Sequence, residues 1–225
     1  MLFYDRLITE TRTQREAFIA TPVIQRALRE GVSAPMYTAF LAEAYHHVRH
    51  TCRLLATAAA RCGDNDGRYL AALLEYIGEE RGHEEWILDD IRAMGGDADA
   101  VRHGQGDLPC RLMVAYVYYA IEHVSPYAML GMVHVLEGMS AALAGIAAGK
   151  LQAALGSAEG GGFSYLKSHG ALDQDHVAFF QTLVNGITDD QAQQAIIETA
   201  KVVYHLYGEI FRAIDARFAE LSHAA

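Results

Sequence analysis

No segment of this chain alternates apolar and polar residues with a period of two, so a sheet architecture is not expected. Proline is scarce, at four in 225 residues, and hydrophobic residues make up 52% of the chain. That balance excludes a disordered protein and allows one domain with a sizeable core. There are only three cysteines, Cys52, Cys62 and Cys110. Scattered and odd in number, they exclude a disulfide framework and point to a reducing, cytoplasmic setting. Basic runs are also lacking: 18 Lys and Arg stand against 28 Asp and Glu, a net charge of −10. Nucleic acid is therefore not an expected partner. No apolar run reaches the roughly 18 residues of a membrane span, and the charged N-terminus lacks a signal-peptide core, so no membrane partner is expected. Histidine is the compositional excess, with 11 residues in an acidic chain.

Every long segment reads at helical period instead. Helices are expected over about 3–19, 22–30, 33–61, 68–94, 108–124, 126–155, 163–184 and 190–221. Their punctuation is physical. Thr21-Pro22 and Ser125-Pro126 place proline at the first helical position, CGDNDG breaks the chain at 62–67, and Gly95-Gly96 stops a helix. GSAEGGG, at 156–162, is the stretch richest in glycine. No repeat or composition shift divides the chain. The expected fold is all-α, a single helical bundle of about seven helices spanning 1–225.

Four stretches carry chemistry. In SHGALDQDHVAFF, His169, Asp173 and His176 fall within an arc of about 60° on a helix, at 100° per residue. Two imidazoles and a carboxylate suit a first-row transition metal; the competing reading is a solvated polar stripe. In GEERGHEEW, Glu80 and His83 form Glu-x-x-His, a spacing that carboxylate-bridged di-iron bundles use. Glu79, four before His83, competes as the ligand. In LGMVHVLEGMSAAL, Glu137 is the sole carboxylate between Pro126 and Leu155, and burying it needs a partner such as a metal. In FLAEAYHHVRHTCRLL, Glu43, His47 and His50 share a face; Glu43 is a candidate ligand, and His47 or His50 a ligand or a support for one. Tyr45 and Tyr76 are candidate hydrogen-bond donors near the site, and Met129, Leu130 and Met132 candidate pocket lining. His103, between GDADAVR and GQGD, is expected in solvent. Oxygen-rich, imidazole-containing sites favour iron or manganese over structural zinc.

These stretches resemble the haem-oxygenase-like superfamily, and within it the branch of di-iron oxidases and oxygenases, over about 21–214. FLAEAYHHVRHTCRLL is similar to an early helix shared with thiaminase-II-like proteins. EERGHEEWILDDIRAMGG resembles the family's glutamate–histidine helix, SPYAMLGMVHVLEG its proline-led helix, and HGALDQDH its H-x-x-x-D-x-x-H. The resemblance implies metal ligands at Glu43, Glu80, His83, Glu137, His169, Asp173 and His176. Glu80 and Glu137 would bridge two irons, with His83, His169 and His176 terminal and Asp173 on one iron. Some members place the glutamate seven before the histidine, where Tyr76 stands here. The implied activity is O2-dependent oxidation of a small organic substrate, amino-acid-like or fatty-acid-like, on two Fe, with Mn as the alternative metal and a homodimer compatible with it.

Other functions share that fold. Haem oxygenases hold haem through a histidine on the first helix, and no histidine precedes His46 here, so no haem is expected. Thiaminase II has an aspartate where Ala44 stands, and its nucleophilic cysteine has no evident counterpart. A cofactor-independent enzyme of the fold would leave the ligand set unexplained. A non-catalytic helical interaction module is the reading from outside enzymology; metal content and O2 uptake separate it.

Overall fold

The computed structural model describes residues 1–156 and 161–223, with the side chains at 169–175 and 221–223 outside the description. Described residues form helices and no strands. The helices are α1 (Phe3–Glu10), α2 (Arg12–Ile19), α3 (Pro22–Glu30), α4 (Ala34–Val48), α5 (Thr51–Ala60), α6 (Gly67–Glu80), α7 (His83–Ala93), α8 (Ala98–His103), α9 (Leu108–His123), α10 (Met129–Leu155), α11 (Ser164–Asn185) and α12 (Asp190–His223). A 3-10 turn, Pro126–Ala128, leads into α10.

This is more than the expected seven or so helices, because three expected helices are broken and α8 forms where none was expected. The first breaks at Thr11, whose backbone leaves helical geometry (φ −102°, ψ 0°) and whose hydroxyl donates to the Leu7 carbonyl. The second breaks at Arg49 and His50, between α4 and α5. The third breaks at Gly82, which adopts φ +95°, a conformation that costs an L side chain about 1–2 kcal/mol. That break lies between Glu80 and His83, so the two residues of Glu-x-x-His end one helix and begin the next.

Helix α10 is the central element and packs chiefly against α11, α12 and α3. Its contact with α12 depends on Gly131, where a Cβ would stand 2.6 Å from the Ile196 carbonyl oxygen. The segment Pro126–Leu155 is long and apolar enough to cross a membrane, which the reading of apolar runs did not anticipate. Half of its most apolar window is buried inside the bundle. Apolar residues all round a helix fit a central position. Buried side chains form two clusters. The larger joins α1–α6 and α9–α12; the smaller joins α4, α7, α8, the C-terminal half of α10 and the start of α11.

Helix α11 has no capping side chain of its own at Phe163. Asp90 of α7, 2% exposed, supplies the missing acceptor. One of its oxygens accepts from the Ser164 N–H at 3.0 Å and the Ser164 hydroxyl at 2.7 Å, the other from the Tyr165 N–H at 2.8 Å. The Tyr37 hydroxyl donates to the Gly162 carbonyl at 2.9 Å, so α4 and α7 together fix where α11 begins.

Candidate metal centre

Three helices converge on one acidic cluster. Glu80, at the end of α6, and His176, on α11, are each 7% exposed. Glu137, on α10, joins them, and one ligand atom from each of the three lies within 4.8 Å of the others. His176 lies between two carboxylates, with Nδ1 3.6 Å from Glu137 and Nε2 3.2 Å from Glu79. His83, also buried, holds Nδ1 3.2 Å from Glu80 and stacks on Trp86 with ring centroids 4.1 Å apart. Tyr76, one turn before Glu80, donates to Glu137 at 3.5 Å. Its phenol is pushed far above its ordinary pKa, first by burial and then by the charges of Glu137, Glu79 and Glu80. It therefore stays a donor.

The structure brings Glu80, His83, Glu137 and His176 together, with Tyr76 and Glu79 beside them. Glu80 faces inward; Glu79 reaches His176 from a side chain that is 46% exposed. His169 and Asp173 lie outside the described residues. Their backbone belongs to α11, seven and three residues before His176.

The α4 residues are used differently from the sequence expectation. Glu43 is buried but does not join the cluster. Both of its oxygens accept the Asp107 N–H, at 3.1 and 3.0 Å, at the N-terminus of α9. An anion there satisfies an otherwise free helix donor and the helix dipole. Burial, and then the nearby Asp107 charge, raises its pKa. Tyr45 packs in the smaller core under the Arg49 guanidinium, 5.2 Å from its ring centre, and His50 pairs with the Tyr118 hydroxyl at 3.3 Å. Of this group only His47 lines the cavity described next, meeting Tyr207 edge-on. The Arg49–His50 break takes His50 off the face that Glu43 and His47 share on α4.

A cavity of about 180 Å³ opens from Glu80 and Glu137 into the bundle. Met129 and Met132 line it, with Leu28, Phe40 and Phe211 among its other walls; Leu130 is core and does not line it. Among the described residues no lysine or arginine lines it. None of the three cysteines does, and burial raises the thiol pKa of each. His103 ends α8 and is exposed, as expected.

The donor set fits a hard or borderline cation. Glu80 is buried and Glu137 nearly so, and each is ion-paired with a histidine. Acidic groups gathered in a low-dielectric interior are costly without a cation, and carboxylate with imidazole is the chemistry of iron and manganese sites. Sequence reasoning missed Asp90, which positions the helix carrying His176. WILDDIRAMGG marks it only as an acidic residue near a helix end.

A profile described as an iron-containing redox enzyme matches residues 38–208, three quarters of the chain. Among solved structures, a domain of unknown function with a heme oxygenase-like fold from Shewanella denitrificans superposes with a TM-score of 0.86 at 18% identity, covering 99% of this chain and 96% of that one. A TenA homolog from Pseudomonas syringae gives 0.76 at 12% identity, covering 95% and 93%. Heme oxygenase-1 from the cyanobacterium Synechocystis, solved with heme, gives 0.76 at 12% identity, covering 100% and 97%. At such identities the likeness is one of fold. No curated protein matches the chain in sequence. The chain belongs to the iron-containing redox enzyme family and has the heme oxygenase-like fold.

Proposed function

Starting from membership of an iron-containing redox family, we propose that this protein is a non-haem di-iron, O2-dependent oxidase or oxygenase. Its substrate is a small organic molecule with an apolar body, fatty-acid-like rather than amino-acid-like. The observation that carries the reading is the convergence of Glu80, Glu137 and His176 within 4.8 Å, with His83 against Glu80. Glu80, Glu137, His83 and His176 would hold the irons, and His169 and Asp173 would complete the set. Bound iron supplies the electrons and open coordination positions that O2 activation requires.

The chain's own residues orient and insulate that chemistry. Tyr76 donates to one oxygen of Glu137 while the other faces His176, which together fix the carboxylate's rotation. The cavity walls exclude water, which strengthens electrostatic interactions at Glu80 and Glu137. Without a lysine or arginine, the cavity offers a substrate carboxylate no basic partner, so the carboxylate end belongs at the metal-ligand end and the apolar body among Leu28, Phe40 and Phe211. An amino-acid-like substrate would bring an ammonium into the same apolar walls. A thiaminase-like hydrolase is disfavoured, because no cysteine lines the cavity and every thiol is held protonated.

Reduced protein loaded anaerobically with Fe(II) tests the reading. It should hold about two irons per chain and consume O2 faster with a medium-chain fatty acid than with an amino acid. Glu137→Ala should lose iron while keeping its helical circular dichroism. A folded protein that takes up neither iron nor manganese overturns the proposal.

A further inference from the structure

A second cavity, about 350 Å³, lies between α1, α2, α10, α11 and α12. It meets the apolar cavity at Val133, Glu137 and Met139, but its polar lining differs. Arg15 of α2 enters it as the one cation among the described lining residues, half-buried and with no ion-pair partner among the described residues. Three further polar tips gather round it. Burial first, and then the Arg15 charge, sets the acidity of Tyr4, His134 and Tyr204. The Tyr204 hydroxyl is buried with no hydrogen-bond partner among the described residues.

His134 adds no second charge. The Thr11 hydroxyl gives its single proton to the Leu7 carbonyl at 2.7 Å, so in its 3.4 Å contact with His134 Nε2 the imidazole must donate. Burial lowers its pKa to about 4, so near neutral pH the ring carries one proton, placed on Nε2 by this contact. The cavity is therefore polarised, with Arg15 as its cation and Glu137 as its carboxylate. Ile8, Val177 and Phe180 supply apolar wall.

We propose that this cavity binds a small organic carboxylate, its anionic end on the Arg15 guanidinium with the Tyr204 hydroxyl as second donor, and its short apolar body against Ile8, Val177 and Phe180. A guanidinium without a carboxylate partner suits a carboxylate guest. The apolar wall favours a short-chain acid over an inorganic anion. The site stands without iron, so its test is independent of the metal reading.

The test is calorimetric titration of the full chain, stripped of metal by chelation, with butyrate and, separately, with inorganic phosphate. Butyrate should bind with a dissociation constant on the order of 1 mM. Arg15→Gln should weaken it about 10- to 100-fold, and Tyr204→Phe about tenfold. Tyr204→Phe should also raise the melting temperature of the ligand-free protein, because it deletes a buried hydroxyl that has no partner. Should Arg15→Gln fail to fold, Arg15→Lys, which keeps the charge but loses the planar fork, and Tyr204→Phe decide the matter through the same weakening. Three results overturn the proposal: no saturation by about 20 mM butyrate, phosphate binding as tightly as butyrate, or an affinity that neither the Arg15 nor the Tyr204 variants change. The last would put butyrate in the apolar cavity, which no arginine or lysine lines.

Discussion

Replacing Asp90 by alanine should loosen the helix that carries His176 without touching the metal ligands. Asp90 accepts three hydrogen bonds from the first turn of α11. Ser164 is exposed, so its N–H and hydroxyl turn to water in the variant. Tyr165 is 9% exposed, and its N–H is left buried without an acceptor. Losing an N-terminal cap costs about 1–2 kcal/mol, and leaving a buried amide unpaired about 1–3 kcal/mol. Relief from burying the carboxylate offsets part of this, so the expected loss is about 2–4 kcal/mol, a large share of the usual 5–15 kcal/mol. Asp90→Asn should cost less, because its oxygen still serves Ser164 while its amide faces the Tyr165 N–H, donor against donor. Urea unfolding measures the total. Amide exchange locates it: protection of the first turn of α11 should fall about 30- to 1,000-fold, while α9 stays as it was. Asp90→Ala within about 0.5 kcal/mol of the parent, with exchange of α11 unchanged, would refute the view that α7 caps α11.

Glu43→Ala should destabilise the fold by about 1–3 kcal/mol through loss of the α9 cap, yet leave the iron content of loaded protein unchanged; metal analysis beside urea unfolding checks both. His134 gives a pH signature. Burial chiefly, with the Arg15 charge second, depresses its pKa from 6.5 to about 4. For a base with a depressed folded pKa, the unfolded chain binds the extra proton between the two values. Stability from this group is complete above 6.5 and falls as the pH drops toward 4, by about 3 kcal/mol over the window. His134→Gln should flatten that part of the stability profile, measured by denaturant unfolding from pH 4 to 7; an unchanged slope would show that another group titrates there.

How much of this was legible in the sequence depended on whether the signal was local. Helical period is local, and the all-α reading followed from it. Glu137 was legible because a lone carboxylate in an apolar helix is conspicuous within a few residues. Glu-x-x-His was legible as a pair, but not the chain break between its members. Gly82 reads as an ordinary glycine until its positive φ is seen. Thr11 and the Arg49–His50 step likewise show no strong breaker, so the joined helices 3–19 and 33–61 were reasonable and were cut by tertiary packing. The bond that Glu43 makes was illegible for a related reason. Its spacing to His47 marks a shared face, but its partner is the amide of Asp107, 64 residues away, and no pattern within one helix announces that bond. Asp90 was illegible for the same cause, since it matters through a contact with a distant helix, and Arg15 because the cavity it lines is assembled from distant helices.

The placement of the acidic cluster follows from the same distinction. Four helix segments supply it, and three have an independent reason to stand where they do. Helix α10 is held by its all-round apolar surface and by the close approach at Gly131. Helix α6 ends where Gly82 turns the chain, which sets Glu80 and His83 against each other at 3.2 Å. Helix α11 starts where Asp90 and the Tyr37 hydroxyl fix it, so its register, and with it the position of His176, is set about three turns before that histidine. None of these constraints uses a metal. A frame built this way gathers carboxylates that repel one another and holds them together by packing, so the repulsion is available to a cation as binding energy. That is the arrangement expected of a bundle folded before its metal arrives, and it is why substitutions at Asp90 or Glu43 should change stability while substitutions at Glu137 should change metal content.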